Sequence, residues 1–142
     1  MAKQYLNAFI NNSATIRGTA AADLTNAAHK AVKFDGNGQF VLPGAGDPVI
    51  GIILSDVAAI ESGANLVTKA GTEVDVLVKY IGLIEAAGAI AKGDLLTVTA
   101  TGTATQADEG NWIFGVAMTA AGAAGELVQI EITQSGYYPV AA

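Results

Sequence analysis

From Ala31 onward the chain is a succession of short stretches in which apolar and polar residues alternate, and glycines recur at their boundaries. A period of two sends successive side chains to opposite faces of a strand, so one face of each stretch is dry and the other wet, as in antiparallel sheets. Val32 and Phe34 alternate with Lys33 and Asp35; Gly36-Asn37-Gly38 then turns the chain into Gln39-Phe40-Val41-Leu42, a hairpin signal. Val74, Val76 and Val78 alternate with Asp75, Leu77 and Lys79, Leu96 and Val98 with Thr97 and Thr99, and Val128, Ile130 and Ile132 with Gln129, Glu131 and Thr133. Aromatic residues make up only 6% of the 142, so the core is expected to consist of Val, Ile, Leu and Ala. Only Ser55 to Ser62 reads as helical, with Ser55 or Asp56 capping a short turn that ends near Gly63.

The chain also repeats itself. Val32-Lys33-Phe34 falls on Leu96-Thr97-Val98 at a separation of 64 positions, as do Gly38 on Gly102, Gly46 on Gly110, and Val49-Ile50-Gly51-Ile52 on Ile113-Phe114-Gly115-Val116. After a loop ten residues shorter in the second half, Ala70-Gly71 and the strand Val74 to Val78 correspond to Ala124-Gly125 and the strand Leu127 to Ile132. Identities are few, so two similar β-patterns without common descent are the alternative. Gly51 and Gly115, inside apolar strands, read as bulges or tight bends. The expected fold is mostly β, a small β-barrel or compact β-sandwich of two pseudo-repeated halves, with an extended N-terminal arm and one short helix.

Residues 1–28 carry Tyr5, Leu6, Phe9, Ile10 and Ile16 without a sustained period, and are expected to form the arm; residues 29–134 form the β domain and 135–142 a C-terminal tail. Unless the arm folds onto the barrel, its apolar side chains are exposed and imply a partner. Tyr137, Tyr138, Pro139 and Val140 raise the same choice between packing back on the barrel and forming an interface between copies.

Thirteen acidic against seven basic residues give a net charge of −6, a surface that repels phosphate backbones, so no nucleic-acid partner is expected. The chain has no cysteine and a single histidine, His29, expected at the start of a surface strand. A thiolate site is excluded, no Gly-x-Ser-x-Gly elbow accompanies the histidine, and zinc would have to rely on carboxylates. Neither Gly36-x-Gly38 nor Gly44-x-Gly46 completes a nucleotide-binding fingerprint. Glu73 with Asp75 reads as the wet face of a strand, and Asp108-Glu109-Gly110 as a solvated loop. No secretory signal and no apolar run long enough to span a bilayer stand out. No enzyme, cofactor, metal or small-molecule substrate is therefore expected.

The run Lys69-Ala70-Gly71-Thr72-Glu73-Val74-Asp75-Val76-Leu77-Val78, then Gly88-Ala89-Ile90-Ala91-Lys92-Gly93-Asp94-Leu95-Leu96-Thr97-Val98, then Asn111-Trp112-Ile113-Phe114-Gly115-Val116-Ala117, resembles the capsid cement (decoration) proteins of tailed bacteriophages over roughly residues 28–133. The resemblance implies a small β protein, often trimeric, that adds to the outer surface of an assembled head and stabilises it, with the major capsid protein as partner. It implies synthesis in the host cytoplasm, a final place on the virion, and no catalytic residues. It also implies structural roles for Gly71 and Gly93 as turns, Gly115 as a bulge or bend, and Trp112 and Phe114 as core. Within that frame Tyr5, Leu6, Phe9, Ile10, Ile16 and Arg17 are the expected capsid contacts, residues 2–17 forming a bridge between capsid subunits, and Tyr137 and Tyr138 the expected oligomer interface. A head fibre or spike base, a ligand-binding barrel, and a cytosolic protein whose trimer is an end in itself are the rival readings.

Overall fold

The alternating stretches form antiparallel ladders, and the glycines between them let the chain reverse. A computed structural model of the protein describes residues 13–56 and 59–141. Its strands are β1 (Thr15–Thr19), β2 (Leu24–Thr25), β3 (Ala31–Phe34), β4 (Phe40–Val41), β5 (Gly51–Ile53), β6 (Ile60–Ser62), β7 (Asn65–Thr68), β8 (Glu73–Leu77), β9 (Tyr80–Glu85), β10 (Leu95–Val98), β11 (Ala104–Gln106), β12 (Trp112–Ala117) and β13 (Leu127–Tyr137). Two five-stranded sheets carry most of the chain, one ordered β4-β3-β5-β8-β1 and the other β11-β10-β12-β13-β9. The orders match strand for strand, which makes the two halves spatial repeats.

The match extends to single hydrogen bonds. His29 N donates to Ile53 O at 2.8 Å and Gly93 N to Ala117 O at 2.7 Å; Ala20 N donates to Thr72 O at 2.9 Å and Ala86 N to Glu126 O at 2.8 Å. Gly38 and Gly102, Gly46 and Gly110, and Gly71 and Gly125 take the same left-handed conformation, with φ between 74° and 90°. His29 adopts it too (φ 66°), at the place where the second half has Gly93 (φ 92°). The repeat therefore begins at β1 and β9, before the point at which the sequence shows it.

Each sheet curls until its edges meet. A parallel bridge joins Ala20, just past β1, to Phe40 in β4, and another joins Ala86, just past β9, to Ala104 in β11. The two cores follow: Ala20, Leu24, Ala27, Val32, Phe40, Ile53, Val74 and Val76 fill the first half, and Ile84, Leu96, Val98, Phe114, Val128 and Ile130 lead the second. Their contents differ by exchange of bulk. Gly18 lies under the ring of Phe40, where a Cβ would come within 2.6 Å, whereas the second half places Ile84 and Ala104 at these positions. The expectation of a barrel or sandwich with two related halves takes the form of two curled sheets, each around its own core.

The halves are joined by burying the outer face of the first sheet against the open side of the second. Ala31, Val49 and Ile52 enter the second core. Glu85 N donates to His29 O at 3.0 Å and Ala31 N to Gly102 O at 2.8 Å, so β3 lies between β9 and the turn after β10. Gly82 makes room for this, since a Cβ there would collide with the Leu77 side chain. Gln134 clamps the joint, accepting from Trp112 Nε1 at 2.6 Å and donating to Val49 O at 2.8 Å, and Lys30 adds an ion pair to Glu85 at 2.5 Å.

Three segment assignments need correction. Residues 13–28 are not an arm outside the core: β1 pairs with β8 from Thr15↔Leu77 to Thr19↔Glu73, and Ala20, Leu24 and Ala27 are buried. Short, mixed segments of this kind become strands because the edge of β8 offers backbone partners, a long-range cause that local periodicity does not carry. Residues 1–12 lie outside the described residues. No helix forms among the described residues at Ser55 to Ser62; Val57 and Ala58 lie outside them, and Ile60–Ser62 is a strand that pairs with β7 around a two-residue turn at Gly63-Ala64. Gly63, at φ 65°, takes the left-handed geometry that such hairpin turns need, and Asp56 accepts from Ala28 N instead of capping a helix. Finally, the tail begins later than 135, because β13 continues through Tyr137, opposite Trp112.

The hairpin and bulge readings are matched, and the alternation only in part: Phe34, expected on a dry face, is 45% exposed, whereas Leu77 and Thr97, expected on wet faces, are 9% and 2% exposed, Leu77 because the second half packs over it. The β3–β4 hairpin forms around Asp35, whose carboxylate accepts from Asn37 N and Gln39 N. The register of β12 against β13 slips between Ile113 and Gly115, a bulge, and Phe114 is buried.

Gly51 and Gly115 lie closest to backbone: a Cβ would strike the carbonyl oxygen of Leu77 in one half and of Glu131 in the other. A collision with a ladder carbonyl cannot be relieved by a rotamer change. Gly51→Ala and Gly115→Ala are each expected to cost roughly 3 kcal/mol or more. Gly36→Ala and Gly88→Ala, where a Cβ would meet nothing within 4 Å, are expected to stay within about 1 kcal/mol of the parent in urea denaturation.

Three carboxylates are held below the usual range: Asp75 by the Arg17 guanidinium, Asp47 by Lys33 and Gly44 N, and Asp23 by Ala70 N and Lys69. A depressed folded-state pKa stabilises above the ordinary carboxylate value, and that contribution is lost as pH falls through the depressed one. The thermal midpoint should therefore be flat above about pH 5 and decline below about pH 4, with a shallower decline in Asp75→Asn.

Candidate interaction surface

The alternation along β13 sends Val128 and Ile130 inward and Leu127, Gln129 and Glu131 outward. Its register sets Glu85, Leu83 and Ile81 of β9 beside those three, sets Val116 of β12 beside Glu131, and Leu95 of β10 lies next to Val116. Leu95, Val116, Glu131 and Ile81 thus form a row across four strands, flanked by Leu83 and Leu127. Ile81 is 53% exposed, Leu127 44%, Leu83 42% and Leu95 37%. Apolar side chains gathered on one open sheet face mark an interaction site more often than scattered ones do. Gln129 and Glu131 interrupt the patch with polar groups.

Other apolar groups project singly. The β6–β7 hairpin, the insertion that lengthens the first half, carries exposed Ile60 and Leu66, and pairs through β7 with β2. Phe34 stacks on Phe40 at 5.1 Å and borders an open groove of about 440 Å³ lined by Lys33, Asp47, Pro48, Val49 and Ile50. Lys33 and Asp47 pair at 2.7 Å on its rim.

The expected contact residues fall into separate places. Tyr5, Leu6, Phe9 and Ile10 lie outside the described residues. Ile16 points inward and packs against the first core, which accounts for its apolar character. Arg17 faces solvent and pairs with Asp75 through Nε at 2.9 Å. Tyr137 is largely exposed but sets its ring edge-to-face on Trp112 at 5.1 Å, and Tyr138 exchanges backbone hydrogen bonds with Gly110 and Asn111. The sequence reading missed Ile81 and Leu83. The signal was present in Tyr80-Ile81 and Leu83-Ile84, adjacent apolar pairs that put apolar groups on both faces of one strand.

No group of three or more His, Asp or Glu side chains able to hold a metal occurs among the described residues. His29 sits in the joint between the halves, its backbone engaged by Ile53 and Glu85. Glu73 and Asp75 lie on a strand face, with Asp75 committed to Arg17.

No curated protein matches the chain significantly. Among solved structures, the chain is similar to the head fiber gp8.5 N base of bacteriophage phi29, with a TM-score of 0.64 and 19% identity, over 87% of this chain and 97% of that one. At this identity the likeness is one of fold. The profile of the "Structural cement protein" family, whose description names Pam3 gp6, matches residues 8–133. That span takes in the first curled sheet and all of the second except the last residues of β13, and on it the chain belongs to the phage structural cement protein family and has a structural role at the phage head.

Proposed function

We propose that the protein, made in the host cytoplasm, adds as a homotrimer to the outer surface of an assembled capsid, binds the major capsid protein, and stabilises the shell. The family match over residues 8–133 carries this reading. The physical requirement is modest affinity multiplied. An oligomer that engages several capsid subunits at once converts later contacts into intramolecular ones, and effective concentration raises the strength of attachment. The apolar side chains of Tyr5, Leu6, Phe9 and Ile10 precede β1, and Arg17 is exposed on it, so a bridging segment would leave the first half from the β1 edge. Ordering such a segment on a capsid strand supplies backbone hydrogen bonds as well as buried area. Tyr137 and Tyr138, at the end of β13, are the corresponding candidates for contact between copies.

The likeness to the phi29 head fiber base favours one second reading, a base that carries a projecting structure. Electron microscopy of decorated heads separates the two, since a cement protein lies low on the shell and a fibre base carries density outward.

Co-sedimentation with expanded, undecorated capsids is expected to show saturable binding, with light scattering giving a trimer mass. Because β1 is part of the first sheet, the informative truncation removes residues 2–12 and leaves Thr15–Thr19 in place. That variant is expected to melt like the parent and to lose capsid binding; binding at parental strength would refute the bridge.

A further inference from the structure

We infer that the open outer face of the second sheet docks on the first half of another copy, repeating between chains the joint that unites the halves within one. This rests on the homotrimer reading for the number of copies and adds the surfaces involved.

Inside the chain, the outer face of the first sheet is covered. Ala31, Ile52 and Leu77 are 0%, 1% and 9% exposed because the second half lies over them. By strand order and register, the second sheet has Leu95, Val116 and Glu131 at these places. Nothing within the described residues covers them to the same extent, and Leu95, with Ile81 and Leu83 across the same face, remains exposed. One face of a repeated unit is thus buried in the first half and open in the second.

The receiving side shows the complementary asymmetry. The second half's open side, between β9 and the turn after β10, holds the first sheet, and Val98 there is 1% exposed. The equivalent residue in the first half, Phe34, is 45% exposed beside the groove of Lys33, Asp47 and Pro48. Backbone groups tell the same story. Glu85 N and Gly102 O are satisfied across the joint by His29 O and Ala31 N. Their counterparts on the first half, Thr19 N and Gly38 O, and those of the donating strand, Gly93 O and Leu95 N, make no such hydrogen bonds. Alternation along β1 turns Thr19 N away from β8, since Ala20 N is the one that donates to Thr72 O. Two donors and two acceptors stand ready for the contact already made once.

The repetition is of geometry, not of residues. Glu131 replaces Leu77, and Ile16 replaces Gly82, so the contact between copies is more polar and looser than the joint inside the chain. A contact that runs from the second half of one copy to the first half of the next is heterologous, and such contacts close into rings when the rotation allows. Three copies would present six similar halves around one axis.

The test uses the full chain, with mass measured by analytical ultracentrifugation at several hundred micromolar and folding checked by thermal melts. Leu95→Arg spoils the donating face and Phe34→Asp the receiving side. Each alone is expected to sediment as a monomer with a cooperative melt. Mixed, they are expected to form a one-to-one heterodimer and nothing larger, because each copy keeps one sound surface. Should Phe34→Asp fail to fold, Leu95→Cys with Phe34→Cys and a short thiol cross-linker replaces it; the chain has no native cysteine, and bonds between copies are expected. A parental trimer that Leu95→Arg leaves intact, a Phe34→Asp variant that still trimerises, or cross-links confined to single chains would overturn the docking surface alone. A parent that is monomeric throughout would overturn the trimer reading with it.

Discussion

Each curled sheet depends on a place in its central strand where two backbones come closer than a side chain permits. Gly51 lies against the carbonyl of Leu77, and Gly115 against that of Glu131. Without a Cβ, β5 can cross close to β8, and β12 to β13, and the sheet bends far enough for its edges to meet at Ala20–Phe40 and Ala86–Ala104. Bends of this kind on glycine are how small sheets close without a large interior. The interior that results is small enough for Val, Ile and one phenylalanine per half to fill it, which is why so few aromatic residues suffice.

The two halves are alike in their ladders and unlike in their surroundings. The first half carries the β6–β7 hairpin and has its outer face buried by the second. The second half has Gly82 where the first has Ile16, and this missing side chain admits Leu77 and Ile52 to the joint. Gln134, itself in a left-handed conformation, then ties Trp112 to Val49 across it. A duplicated unit thereby becomes a two-part protein with one face spent internally and one left open.

For a structural protein of the phage head this economy of chemistry is sufficient. Two related curled sheets present broad β faces with little specialised chemistry. The ion pairs at Arg17–Asp75, Lys33–Asp47 and Lys69–Asp23 are solvent-exposed and orient strands and loops more than they stabilise them.

Alternation around Val32, Val76, Leu96 and Ile130 determined that these segments are strands, because the period of two is a local property. The spacing of Gly38 and Gly102, and of Gly51 and Gly115, determined that the fold has two related halves, because a left-handed turn or a backbone crossing tolerates little else. The tertiary structure alone decided that Thr15–Thr19 is a strand, that Ile60–Ser62 joins a hairpin, and that Tyr137 belongs to β13, since each is fixed by a partner more than locally. It also decided which apolar faces are covered: Ile52 and Ile81 look alike in sequence, and only the packing of one half on the other buries the first and exposes the second. A pattern of side chains states that a face excludes water but does not name the surface that excludes it.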